Sequence, residues 1–124
     1  MRTPDQVPLI DIELSDQWFS APSEKDRIVI TGMWTALRGD TAADLLRLGD
    51  RPANEDPTAL RYDLHQMRGY LASYGFARCA AVLKQWEMDP NTVPLAASYS
   101  RDAMQAYQEG IAAMLARYPW LAKL

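Results

Sequence analysis

The chain is poor in the residues that most often carry chemistry. Among 124 residues there is one cysteine, Cys79, and one histidine, His65. A single cysteine excludes an internal disulfide, and one thiol with one imidazole leaves no zinc set of the usual kind, so no metal site is expected. Basic residues are in deficit, 13 against 16 acidic, for a net charge of −3. That balance gives no electrostatic footprint for nucleic acid or for an anionic membrane. Long apolar runs are missing as well, so no segment reads as bilayer-spanning. The opening MRTPDQVPLIDIEL lacks the apolar core of a signal peptide. Neither G-x-x-x-x-G-K-[ST] nor G-x-G-x-x-G occurs, so nothing predicts that the chain itself binds ATP or a dinucleotide. These absences predict a cytoplasmic protein without a cofactor of its own.

What is present is a globular composition, 48% hydrophobic, in a length suited to one core. Pro4, Pro8 and Pro22 mark residues 1–22 as an irregular lead-in, within which IDIELSDQWFS reads as a short helix or a strand-like arm. Ser23 followed by Asp26 has the form of a helix N-cap with an acid in the first turn. Ile30, Trp34, Leu37, Thr41, Leu45 and Leu48 then recur every three or four residues, a helical stripe. Gly39-Asp40 interrupts it, so 24–48 is one long helix or two, the second capped by Asp40. GDRPANEDP is a loop, and Asp56-Pro57 is a strong helix start. Leu60, Leu64, Met67, Leu71 and Tyr74 form the next stripe, ended by Gly75. Cys79, Val82, Leu83 and Trp86 form another, which MDPNTVP breaks. Met104, Tyr107, Ile111, Met114 and Tyr118 define a last helix stopped near Pro119. The pattern predicts an all-α fold over 23–124, with short loops favouring antiparallel neighbours.

His65 opens the stretch HQMRGYLASYG. At about 100° per residue, the stripe from Leu60 to Tyr74 falls between about 180° and 260° from the histidine. Thr58, Arg61, Gly69, Ala72 and Phe76 fall within about 40° of it, and Arg68 and Tyr62 lie about 60° to either side. The ring is therefore expected on the surface, one turn below a glycine that costs a helix about 1 kcal/mol relative to alanine. A neutral imidazole is a nucleophile at cellular pH. A phosphoryl group accepted on it would be bulky and anionic. Gly69 would leave room for that group and for the protein delivering it, and a guanidinium at Arg68 would hydrogen-bond its oxygens. A Cys–His nucleophile pair is disfavoured, because Cys79 falls on the apolar stripe of the following helix. The acidic pairs Asp11/Glu13 and Glu55/Asp56 read as solvated loop and capping residues.

His65, Arg68, Gly69 and Gly75 resemble the pattern of histidine-containing phosphotransfer (HPt) domains: His, a base at the third position, Gly at the fourth and Gly at the tenth. The continuation FARCAAVLKQWE is similar to that family's next helix, with Trp86-Glu87 where a hydrophobic-Glu pair is common. The likeness covers about residues 57–88 in detail. It implies an antiparallel up-down four-helix bundle with an additional N-terminal helix or arm. It also implies a multistep two-component phosphorelay, in which a receiver-domain aspartyl phosphate donates to the histidine and another receiver accepts from it. On this resemblance His65 is the phospho-acceptor, Arg68 stands where lysine is more usual and steadies the phosphate, Gly69 gives clearance and Gly75 marks the helix end. Thr58, Arg61, Tyr62, Ala72 and Phe76 would form the docking patch. The partners would be receiver domains of hybrid histidine kinases and response regulators, which supply the magnesium, and the carrier would be a monomer without its own kinase site. Tyr70 and Leu71 stand where small residues are usual and Phe76 where alanine is common, and the insertion RPANEDP is long. These departures motivate an alternative: an HPt-fold module that binds receivers without transferring phosphate.

Overall fold

The computed structural model describes residues 3–124. Every regular element in that range is helical. After a 3₁₀ turn (Pro4–Gln6), helix α1 spans Ile12–Phe19, α2 Glu24–Ala36, α3 Ala42–Gly49, α4 Pro57–Ser73, α5 Ala77–Met88 and α6 Ala96–Arg117, with a closing 3₁₀ turn at Pro119–Lys123. The N-terminal stretch left open between helix and strand is thus helical over α1. Its N-cap is Asp11, whose side chain accepts from the Leu14 N–H at 3.1 Å. Phe19 and Ser15 are fully buried, so this segment shares the core with the rest of the chain.

The start signals act as read. Ser23 Oγ accepts from the Asp26 N–H at 3.1 Å, and Asp56 accepts from the Thr58 N–H at 2.9 Å with Pro57 in the first turn. Each such cap removes an orphan donor and stabilises its helix by about 1 kcal/mol. Gly39-Asp40 does not split the stripe that runs from Ile30 to Leu48. The backbone runs on from α2 to α3 through a π-helical turn, Leu37–Thr41, and Asp40 makes no side-chain cap. A π-turn widens the helix and frees a carbonyl from the regular ladder. Here the Tyr107 hydroxyl of α6 donates to the Leu37 carbonyl. All six stripe residues from Ile30 to Leu48 remain buried across the turn.

The main packing pairs are two that are adjacent in sequence, α4 with α5 and α5 with α6, and one that is not, α3 with α6. Leu60, Leu64, Leu71, Leu83, Trp86 and Met114 are fully buried where these helices meet. Gly75 reverses the chain between α4 and α5 with φ +90°, a region that side-chain-bearing residues rarely occupy. A Cβ there would lie 2.3 Å from Ser15 Oγ. The Gly75 carbonyl also accepts from the Asp11 N–H at 2.8 Å, which ties α1 to the reversal. At the other end of α1, Asp16 accepts from Arg117 at 2.9 Å and from the Tyr118 hydroxyl at 2.6 Å. Trp120 Nε1 donates to the Phe19 carbonyl at 2.9 Å, so the C-terminal turn closes over the same corner.

Two outcomes are expected. Gly75→Ala combines a left-handed backbone with a steric overlap and will destabilise the fold by more than about 1 kcal/mol in urea unfolding, beyond the usual glycine-to-alanine gain. The second concerns acid. The Arg117 and Tyr118 hydrogen bonds lower the Asp16 carboxyl to about 2, against about 3.9 in an unfolded chain. A depressed folded-state pKa contributes stability that is fully present above the unfolded value and is lost as pH falls through the folded one. Asp16→Asn will therefore lower the urea midpoint at pH 6, and the gap to wild type will close as pH falls from about 4 to about 2.

Candidate functional site

Helix α4 carries His65 eight residues into its length, away from the face that packs inward, and the side chain is 59% exposed. Its Nδ1 atom is not free. Glu87 Oε1 of α5 lies 3.0 Å away and Arg68 Nη2, one turn along α4, lies 2.8 Å away. Arg68 Nη2 also stands 3.3 Å from Glu87 Oε2 in ion-pair contact. The two neighbours make opposite demands on one nitrogen. A carboxylate oxygen only accepts, so it selects the tautomer with the proton on Nδ1. A guanidinium only donates, so it selects the one with a lone pair there. In the first tautomer Nε2 carries its lone pair outward with no partner among the described residues. Glu87 is mostly buried, at 13% side-chain exposure, which places its charge in a medium that screens it less than water does.

A shallow open depression lies beside the ring. His65, Arg68, Gly69 and Ala72 of α4 form one bank, and Ala77, Ala80, Ala81 and Lys84 of α5 form the other. The small side chains keep it low. Gly69 is exposed, and a Cβ built on it would meet nothing within 4 Å. Nothing inside the molecule requires glycine there, and the space it leaves opens outward. Lys84 is exposed and has no hydrogen-bond or ion-pair partner among the described residues. Arg68 and Lys84 thus face the depression from two helices, with Glu87 as the balancing anion behind the ring.

The structure therefore brings His65, Arg68, Gly69 and Ala72 together at one place. Thr58 and Tyr62 are exposed farther toward the start of α4, outside the depression. Arg61 is committed elsewhere: its Nε and Nη2 donate to the Glu87 and Asp89 carbonyls, both at 3.1 Å, satisfying the end of α5. Phe76 is a correction. It was expected on the histidine face, but it is fully buried, stacked on Tyr107 with ring centroids 5.6 Å apart. The left-handed residue before it ends the helical phase, so a rotation counted from His65 no longer applies past Gly75. Of the other departures, Leu71 is fully buried, and Tyr70 packs partly buried against Tyr74 on the flank away from the ring.

Glu87 and Lys84 were not picked out as site residues. The signal for Glu87 was the Trp86-Glu87 pair, since a buried Trp86 places its neighbour at the edge of the helix contact. Lys84 carried no separate signal. Cys79 lies in the core as expected. Its thiol donates to the Ala103 carbonyl at 3.3 Å, and burial pushes it up to about 12. Among the described residues no cluster of His, Cys, Asp and Glu could hold a metal ion, and no helix is long and apolar enough to cross a membrane.

Two measurements check this geometry. Phe76→Ala will cost about 3–5 kcal/mol in urea unfolding, the usual penalty for emptying a core phenylalanine site, whereas Tyr62→Ala will change stability by less than about 0.5 kcal/mol. In ¹⁵N NMR of the neutral ring, Glu87→Ala will shift the His65 tautomer population from Nδ1–H toward Nε2–H, because only the Arg68 donor then remains at Nδ1. The chain matches no family model, no curated protein and no solved structure.

Proposed function

We propose that this protein is a histidine phosphotransfer carrier of the HPt kind. His65 would take a phosphoryl group from a receiver-domain aspartate and pass it to another receiver. The observation that carries the reading is an exposed imidazole, Nδ1 engaged by Glu87 and Nε2 unpartnered, beside an open depression with Arg68 and Lys84 on its banks. Supporting it, α4 and α5 form an antiparallel hairpin with Gly75 at the reversal, and the α2–α3 rod, α4, α5 and α6 supply four helices for the bundle that the resemblance implies.

The chemistry follows from the arrangement. The Nε2 lone pair attacks phosphorus as the P–O bond to the donor aspartate breaks, and that carboxylate leaves with the bonding pair. The ring gains positive charge as the N–P bond forms, and the Nδ1–H bearing part of that charge faces the Glu87 carboxylate. The transferred dianion meets the Arg68 guanidinium and, across the gap at Gly69, the Lys84 ammonium. Charge-assisted hydrogen bonds of this type are about twice as strong as neutral ones. The partner would supply magnesium and the acidic pocket, so this chain needs neither. The alternative of a binding-only module loses its motive, because Leu71 and Phe76 lie in the core and Tyr70 points to the other flank.

The deciding experiment incubates the chain with phosphorylated receiver domains. Label will move to the wild type and not to His65→Gln. No label on the wild type with any of several receivers would sink the proposal. Gly69 gives a sharper expectation. Gly69→Ala will raise stability by about 1 kcal/mol, since alanine is the better helix former and nothing crowds it, and Gly69→Leu, as stable, will slow transfer at least about tenfold by filling the docking space. Lys84→Ala will slow transfer several-fold with no loss of stability.

A further inference from the structure

Arg61 stands one turn before His65 on α4 and directs both of its hydrogen bonds at main-chain oxygens. Its Nε donates to the Glu87 carbonyl and its Nη2 to the Asp89 carbonyl, each at 3.1 Å. The first residue so held is the one whose side chain reaches the ring. Glu87 is the last residue but one of α5, in the turn whose carbonyls have no partner within the helix and where fraying begins.

The Glu87 carboxylate is not secured by its own bonds. Oε1 lies 3.0 Å from His65 Nδ1, but Oε2 is buried and makes no hydrogen bond among the described residues, its 3.3 Å approach to Arg68 Nη2 being an ion-pair contact only. A buried oxygen without a hydrogen bond is costly, and swinging the side chain into water would relieve it. For the carboxylate to stay at the ring, the backbone of Glu87 must be held against α4.

The other ties at this end of α5 do not reach α4. Asp89 accepts from the Asn91 N–H at 2.8 Å and from the Tyr99 hydroxyl at 2.6 Å. Trp86 Nε1 donates to the Thr92 carbonyl at 2.9 Å, and its ring stacks on Tyr99. These contacts fasten the turn after α5 to α5 itself and to α6. Among the described residues, only Arg61 hydrogen-bonds the main chain at the end of α5 to α4. A planar guanidinium suits the task, because its fork can serve two carbonyls at once and its charge is favourable at a helix C-terminus.

We infer that Arg61 is a positioning residue: its two-pronged hold on the end of α5 keeps the Glu87 carboxylate at His65 Nδ1, and through it the lone pair on Nε2. Its effect on the ring stands by itself; only its consequence for transfer rests on the phosphotransfer reading.

The test reads the tautomer of the neutral His65 ring by ¹⁵N NMR on the full chain, with no receiver present. Arg61→Met keeps the aliphatic stem and removes every donor. It is expected to lower the ratio of Nδ1–H to Nε2–H by about threefold, the scale of a partly lost hydrogen bond. Arg61→Lys, the milder change, keeps the charge but offers one nitrogen to two carbonyls, and is expected to lower the ratio by about twofold. In a Glu87→Ala background neither change will move the ratio further, because a residue acting through Glu87 has nothing left to position. Arg117→Met, which releases the Asp16 clamp at the far end of α6, will leave the ratio as in wild type and so separates positioning from general loosening. The inference is overturned by an unchanged ratio in either Arg61 variant, by a fall that persists in the Glu87→Ala background, or by an equal fall in Arg117→Met. Should no label reach the wild type from any receiver while the ratio still falls as expected, the phosphotransfer reading fails and the positioning role stands.

Discussion

The antiparallel pairing of α4 and α5 depends on a chain reversal that only a residue without a side chain can make. Gly75 takes φ +90°, and Ser15 Oγ occupies the place a Cβ would need. Three consequences follow from that one geometry. Phe76, which straight helical counting would put beside His65, is turned into the core against Tyr107. The start of α1 is fastened to the reversal through the Gly75 carbonyl. And α5 runs back along α4 so that Glu87, 22 residues after His65, reaches the ring nitrogen. Loosening the reversal would move the anion away from the imidazole and open the core at the same stroke.

The ring sits between a donor and an acceptor that cannot both be satisfied at one nitrogen. Such a conflict would cost stability in a buried site, where each unmet polar group carries its full desolvation penalty. At the surface water covers the shortfall. Glu87 is the more buried partner and belongs to the neighbouring helix, so the pull toward the tautomer with a lone pair on Nε2 comes from tertiary structure, while the opposing pull of Arg68 comes from α4 itself. Arg68 is held near Glu87 in the resting molecule, and Lys84 waits unpaired across a floor of alanines. Both cations thus stand beside the depression while its floor stays low.

The second rod shows a related economy. A tyrosine from α6 takes the Leu37 carbonyl, the helix stays continuous through a π-turn, and the apolar stripe keeps its face toward the core on both sides. Thr41, four residues on from Leu37, makes no side-chain hydrogen bond among the described residues and lies at the edge of a cleft between α3 and α4. The two flanks of α4 are thereby made different in character. One presents small residues, a paired arginine and an unpaired lysine around an imidazole, and the other presents carboxylates around an apolar floor.

Much of this was legible in the sequence because it is local. Caps at Ser23 and Asp56, the helix end at Gly75, the buried stripes and the outward phase of His65 follow from residues within a few turns of one another, where helix periodicity fixes the side-chain directions. Periodicity alone left open whether Gly39 and Asp40 break the second helix, because the deciding partner, Tyr107, lies 70 residues away. It misplaced Phe76, because a wheel assumes an unbroken helix. It could not show that Arg61 is spent on the carbonyls at the end of α5, nor that Glu87 and Lys84 stand beside the ring. The sequence by itself therefore determined the helices, their buried faces and an imidazole turned to solvent. Which groups face that imidazole, and where a cleft remains, were decided only when the helices packed, because contacts between helices depend on crossing geometry that no spacing within one helix encodes.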